Sequence, residues 1–330
     1  MNKKIMNRPE DTVSQVLNGI IFANDDRLER LPKTGIIIKK ERQTNQVAVI
    51  SGGGTGHEPA HSGYVGENML AASINGGIFT PPEPAEILQA IEAADQGQGV
   101  LLIVKNFERD VENFLAAETL AKEKGHQVSH VIVNDDCSID KENFKKRRRG
   151  VAGTIFVHKI LGAAATEGQS LEALATLGEE VVASINTLGV ALAPGVIPGT
   201  NDSQFKLADD QISFGIGIHG EAGYREEPLH SSEQLANELI NKLKTHYQWR
   251  KDMKVAVMVN GLGSTPLMEL QIFANDVRRL LMLEEVEVAY KKVGTFMSSI
   301  DMAGVSLSIL EIKDDQWLAY LNKPTDSYGW

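Results

Sequence analysis

His219 lies within "FGIGIHGEAG" (residues 214–223), one imidazole set among four glycines. A histidine held in this way has three chemical options: general base, metal ligand or nucleophile. The competing reading is a tight bend that turns the ring to water. A second group sits in "SGGGTGHEPAHSG" (51–63), where a glycine-rich loop precedes His57 and His61. Loops of this kind offer backbone N–H groups to oxygens. The Walker A pattern needs a lysine that is missing here, and the dinucleotide fingerprint is out of register, so a nucleotide is not the first expectation. His57 and His61 are four apart and could share a helix face as zinc ligands do. Pro59 interrupts, however, and no third ligand follows at a zinc-like spacing. A satisfied structural pair, or contacts to a small polar ligand, remain. "KNFERDVENF" (105–114) adds Lys105 and Asp110; Asp110 would equally serve as a helix N-cap.

These groups need elements to place them. "VAVISGGG", "GVLLIVKNF" (99–107) and "VSHVIVNDD" (128–136) read as buried strands that end in polar residues. "DVENFLAAETLAKEKG" between the last two has helical spacing and a terminal glycine. Alternating strands and helices predict an α/β protein with a largely parallel sheet, whose ligands gather at the carboxyl ends of strands. "SGGGTGHEP", "KNFERD" and "NDD" all fall there. Further helices are expected at "TIFVHKILGAAATEG", "SLEALATLGEEVVASINTLG", "SSEQLANELINKLKTHYQW" and "STPLMELQIFANDVRRLLM", and further strands at "MKVAVMVNGLG", "EVEVAYKKVG" and "VSLSILEI". "APGVIPGTNDSQ" (193–204) suits a linker or rim loop.

The totals set outer limits. A chain of 330 residues favours two α/β domains over one core. A 42% hydrophobic and 23% charged composition is ordinary for a globular protein, and no apolar run is long enough to span a bilayer. The start lacks a secretory h-region, and the single cysteine, Cys137, excludes an internal disulfide; cytoplasm is the expected location. A net charge of −11 weighs against direct nucleic-acid binding. The run "KKRRR" (145–149) opposes that trend, as a solvated loop or as a docking point for an acidic partner.

Six segments in order, "SGGGTGHEPAHSGYVG", "GVLLIVKN", "RRGVAGT", "FGIGIHGEAG", "VNGLGSTPLMEL" and "SIDMAGVSL", resemble the dihydroxyacetone-binding subunit of the bacterial dihydroxyacetone kinases that draw phosphate from the phosphotransferase system. The resemblance covers nearly the whole chain. It implies a homodimer of two-domain α/β subunits, with residues 1–188 carrying the glycine-rich sugar loops and 189–330 the reactive histidine. It implies that His219 forms a covalent hemiaminal with dihydroxyacetone and that His57 is the acid/base group. The substrate-binding set would be Gly53, Gly54, Thr55, Gly56, Lys105 and Asp110, with no metal and no cofactor. A neutral imidazole nitrogen can add to a ketone carbon if its approach is clear, and flanking glycines are expected to clear it.

Kinase members of that family work with a separate nucleotide-binding subunit, and this chain shows no nucleotide loop of its own. It also departs from the family at three places. "KNFERD" has Arg109 where glycine is usual, "FTPP" has Pro81 for a serine, and "NDDCSIDKENFKKRRRG" is rebuilt in charge and size. Arg109 would either steady a transferred phosphoryl group or obstruct docking of the nucleotide subunit. The pattern is similar to the family's non-kinase paralogues, co-activators that bind a TetR-type transcription regulator. Loop 137–149 is the expected partner surface. The alternative is a working kinase subunit.

Overall fold

A computed structural model describes residues 3–139, 147–200, 203–221 and 223–330. In chain order the elements begin with α1 (Thr12–Ala23), β1 (Leu28–Arg30), β2 (Ile36–Lys39), β3 (Ala48–Thr55), β4 (Ala72–Ile78), α2 (Pro84–Ala94), β5 (Val100–Lys105), α3 (Glu108–Glu123) and β6 (Val128–Val133). Next come α4 (Thr154–Thr166), α5 (Leu171–Ala183), β7 (Ile185–Ala193), β8 (Gln211–Phe214), β9 (Arg225–Pro228) and α6 (Ser232–Lys244). The chain closes with β10 (Lys254–Gly261), α7 (Leu267–Leu283), β11 (Glu287–Gly294), β12 (Ala303–Glu311) and α8 (Asp315–Asn322).

Two compact units result. The first comprises Met1–Val133, Phe156–Val182 and Tyr320–Trp330, and the second Asn134–Ile155 and Ala183–Ala319. The sequence suggests a single boundary at 188/189, but that point falls inside β7. α5 ends at Ala183 and β7 starts two residues later, so "SINTLG", expected as helix, is mostly strand. Helical spacing in α5 buries Leu174, Gly178, Val181 and Val182. From Ile185 to Ala191 every residue is buried, because both faces of β7 are covered, and an unbroken apolar run does not reveal its period.

The first unit's sheet runs β1-β2-β4-β3-β5-β6. β3 is parallel to both β4 and β5, and β5 to β6; β1 and β2 are antiparallel additions. The chain leaves β3 on one side to form β4 and returns on the other to form β5. That reversal opens a crevice at the carboxyl ends of the strands. β3 and β5 are buried throughout, as doubly covered strands require. α2 buries Ile87, Ala90, Ile91 and Ala94, and α3 buries Phe114, Ala117, Glu118 and Ala121, each an i, i+3, i+4, i+7 stripe. Gly125, at φ +92°, ends α3 where a side chain would be strained.

In the second unit the order is β11-β10-β12-β7-β8-β9. Only β10 and β11 are parallel there; the other four pairings are antiparallel. The α/β class holds for both units, but the expected parallel preponderance holds for the first alone. Short antiparallel returns such as β8 to β9 need no crossover helix, which explains the difference. α6 opens on a reciprocal capping box between Ser231 and Gln234. Among the described residues, no helix is long and apolar enough to cross a membrane.

Phe114 is fully buried in the first unit's core, whereas Leu120 on the same helix is 40% exposed. Phe114→Ala is expected to cost about 3–5 kcal/mol through lost contacts and a residual cavity. Leu120→Ala is expected to change stability by less than about 1 kcal/mol. Urea unfolding of the two variants measures the contrast.

Candidate functional site

In the first unit the glycine loop, Lys105 and Asp110 meet at the crevice. Lys105 is the last residue of β5, and Asp110 lies in the first turn of α3. The N-cap of that helix is Phe107, so Asp110 sits three residues inside, where the helix dipole favours its negative charge. The expected capping role is therefore not the one it takes. Lys105 and Asp110 are both buried. A Cβ at Gly53 would lie 3.0 Å from Lys105 Nζ and 3.2 Å from Asp110 Oδ1. Glycine at 53 thus makes room for an opposite pair of charges beside bare backbone.

The next residues close this cradle from the β4 side. A Cβ at Gly54 would sit 2.6 Å from the Thr80 backbone nitrogen, and one at Gly76 would sit 2.2 Å from the Thr80 carbonyl oxygen. Thr55 Oγ1 donates to the Gly76 carbonyl at 2.7 Å, and Phe79 N–H donates to the Thr55 carbonyl at 2.9 Å. Asn113 Nδ2 of α3 donates to the Pro82 carbonyl at 2.8 Å. The segment carrying Pro81 and the helix carrying Arg109 are therefore fastened to one another. Arg109 itself is exposed.

His57 is fully buried, its ring centroid 5.0 Å from that of Phe79. Gly56, at φ +111°, turns the chain ahead of it, and its N–H donates to Glu58 Oε1 at 3.1 Å. His57 and His61 lie in a turn, not on a shared helix face. His61 Nδ1 instead lies 2.9 Å from Nε2 of His158 on α4. Burial, reinforced by the Lys105 charge, holds both rings well below the ordinary imidazole range, His158 at about 3, so both are neutral. The sequence groups His61 with His57, whereas its ring partner in the fold is His158. Among the described residues, no group of three or more His, Cys, Asp or Glu is placed to hold a metal.

His219 belongs to the second unit, in the turn between β8 and β9. Its Nδ1 is 3.2 Å from Glu221 Oε1, and its backbone N–H donates to Glu221 Oε2 at 3.1 Å. Arg149 Nη1 reaches Glu221 Oε2 at 3.7 Å. Burial opposes ionisation of Glu221, but the His219 hydrogen bond and charge and the Arg149 charge outweigh it and bring the carboxyl down to about 2. An ionised carboxylate only accepts, so in the neutral ring the proton belongs on Nδ1 and Nε2 keeps its lone pair.

The glycines around His219 make room for neighbouring side chains. A Cβ at Gly217 would fall 1.8 Å from Glu221 Oε2 and 2.4 Å from Arg149 Nη1. At Gly215 it would meet Tyr224 and Ser138, and at Gly220 Gln204. These positions are bare to admit the protein's own side chains.

Arg149 also corrects the reading of the basic run. It donates from Nε to Asp136 at 2.5 Å, and from Nη2 to Ser138 Oγ at 3.0 Å and to the Gly215 carbonyl at 2.8 Å. Arg148 donates to the Asp136 carbonyl at 2.8 Å and to Asn186 Oδ1 at 2.8 Å. Both arginines are buried, so neither belongs to a partner surface; Arg147 is exposed, and residues 140–146, including Lys145 and Lys146, lie outside the described residues. Asp135 accepts from the Val151 and Gly153 N–H groups at 2.7 and 2.8 Å. The "NDD" cluster therefore holds the chain after it rather than a ligand. Sequence reading missed Glu221, Arg149 and Asp136. The signals were present: a carboxylate two residues after the histidine, and arginines ahead of a glycine.

Comparison with known proteins places this geometry. The Dak1 domain model matches residues 18–329. The dihydroxyacetone-binding subunit DhaK of the PTS-dependent dihydroxyacetone kinase of Lactococcus lactis subsp. lactis is 46% identical, over 100% of this chain and 99% of its own length. The DhaKLM operon coactivator DhaQ of the same organism is 48% identical, over 99% of this chain and 100% of its own. A solved structure of the dihydroxyacetone kinase operon co-activator superposes with a TM-score of 0.92, covering 96% of this chain and 97% of that one at 48% identity.

Two outcomes test the His219–Glu221 pairing. Nitrogen NMR of the His219 ring is expected to show the Nδ1–H tautomer, and Glu221→Gln, whose amide can donate, to shift it toward Nε2–H. Because the folded-state pKa of Glu221 is lowered from 4.5 to about 2, its contribution to stability is complete above the unfolded value and fades as pH falls toward 2. The stability gap between wild type and Glu221→Gln should accordingly narrow below about pH 4.5 in denaturant unfolding.

Proposed function

This chain belongs to the Dak1-domain family, and from that premise we propose that it captures dihydroxyacetone as a covalent hemiaminal on His219 and serves as a ligand-sensing transcriptional co-activator with a TetR-type regulator. The observation that carries the capture step is the contact of His219 Nδ1 with ionised Glu221, which leaves Nε2 as the nucleophilic nitrogen. Nε2 gives its electron pair to the ketone carbon, and the carbonyl π pair moves onto oxygen. That oxygen takes a proton from an acid, assigned to His57, while the ring, cationic once alkylated, yields its Nδ1 proton to solvent. Glu221 steadies the positive charge as the bond forms. Gly53, Gly54, Thr55, Gly56, Lys105 and Asp110 are assigned to the two hydroxyls. Glycerol has those hydroxyls but no carbonyl, so the bond itself selects the ketose.

Support for the sensor role comes from the rebuilt segments. Pro81 and Arg109 sit on two stretches that the Asn113–Pro82 hydrogen bond ties together, on the crevice where a phosphoryl group would have to arrive. The co-activator DhaQ is 48% identical over its full length. In this reading, ketose capture biases a loop equilibrium that a partner surface reads, by no more than the ligand's differential affinity for the two states. The protein would act in the cytoplasm as a homodimer, without direct contact to nucleic acid. The alternative is the dihydroxyacetone-binding subunit of a kinase, favoured by 46% identity to such a subunit, working with a separate nucleotide-binding subunit.

His219→Ala is expected to lose the dihydroxyacetone adduct seen by intact mass, and with it about tenfold or more in affinity, roughly 1.4 kcal/mol. An adduct that persists assigns the nucleophile elsewhere. Supplied with a nucleotide-binding subunit of the family and its phosphate source, the sensor yields no dihydroxyacetone phosphate above background. Sustained turnover establishes the kinase reading, and Arg109→Gly then shows whether the arginine hinders transfer (activity rises) or assists it (activity falls).

A further inference from the structure

A cavity of about 450 Å³ opens in the second unit between α7 and the edge strand β11. Val257, Val259, Val277, Leu281 and Val293 form its apolar walls. Its charged lining is cationic only: Arg278 from α7, and Lys291 and Lys292 from β11. The strand register explains how a cation enters an apolar wall. A β-bulge at Val255/Ala256 resets the pairing, after which Val257 stands opposite Lys291 and Val259 opposite Val293. Lys291 thus occupies a position flanked by valines on the face that packs toward α7. Its side chain is exposed at the mouth of the cavity. Lys292 is half-buried, and burial pulls its pKa down.

A lysine on an edge strand, exposed as Lys291 is, has a simpler use, since it discourages pairing with another chain. That explains one lysine and a bulge. It does not explain a hollow within the size range of small-molecule sites, nor a further cation supplied from the helix. Apolar walls with cations and no carboxylate match a molecule with an apolar body and one negative end.

We infer that this cavity binds a small amphipathic anion, an apolar chain ending in a carboxylate or phosphate head, independently of the ketose site. The test titrates the full chain, below micelle-forming concentrations, with decanoate, decyl phosphate and decanol by isothermal calorimetry. One anion per chain is expected to bind saturably, with decanol weaker by about tenfold or more. The stronger of the two anions identifies the head group. Lys291→Gln combined with Arg278→Gln should reduce anion affinity by about tenfold and leave decanol unchanged. Ala274→Leu, which fills the cavity from α7, should remove binding of all three, while the dihydroxyacetone adduct forms normally in every variant. Absence of saturable binding by either anion overturns the inference. So does anion affinity unchanged in the folded double variant, which changes only exposed side chains and decides the matter even should Ala274→Leu fail to fold.

Discussion

Glu221 can face Arg149 and His219 only because residue 217 has no side chain. A single methyl group there would overlap both the carboxylate oxygen and the guanidinium nitrogen. The constraint runs outward from that point. Arg149 is held by Asp136, Ser138 and the Gly215 carbonyl, and the last of these ties the arginine to the turn that carries the histidine. Asp136 in turn stands beside Asp135, whose carboxylate receives two backbone N–H groups of the chain after the arginines. Against the cost of burial, the His219 hydrogen bond and charge, joined by the Arg149 cation, keep Glu221 ionised, and an ionised Glu221 decides which nitrogen of His219 holds the proton. The tautomer of one imidazole thus rests on a missing Cβ.

The first unit applies the same device to a different end. Gly53 leaves space that Lys105 and Asp110 approach, while Gly54 and Gly76 let the Thr80 backbone fold across the strand ends. Here the result is a concave stretch of bare peptide flanked by one positive and one negative side chain. Such a surface can present N–H donors and a carboxylate acceptor to hydroxyl groups at close range. The neutral His61–His158 pair beneath it adds no charge, because ionising either ring there would cost the burial energy of a second cation near Lys105. Placement at the switch point between β4, β3 and β5 follows from topology alone, since the chain leaves β3 toward β4 on one side and re-enters the sheet at β5 on the other, which leaves the carboxyl end of β3 uncovered.

Much of this was legible in the residues. The strand ends were marked by apolar runs stopping at glycine or at charge, so the locations of Gly53–His57, Lys105 and Asp110 follow from pattern, as does the turn that holds His219. Continuous apolar runs were the weak point: Ile185–Ala191 carries no period because both of its faces are covered, and it reads as the tail of α5. The parallel or antiparallel sense of the second sheet was equally hidden, because strand direction depends on which neighbour a strand meets and not on its own composition. The basic run misled for a related reason. Arginines look like surface when their partners, Asp136, Asn186 and Glu221, lie many positions away or across a glycine whose function is invisible until the fold is known.

By itself, then, the order of amino acids determined the chemical inventory and its local setting: which residues can donate, accept or attack, that glycine surrounds the imidazole, and that polar groups cluster where strands stop. Tertiary structure alone decided the pairings. Residues distant in the chain, such as Arg149 and Glu221, or Lys105 and Gly53, acquire their roles from distances of a few ångströms. Electrostatic and steric energies at that range depend on spatial separation, which spacing along the chain does not encode.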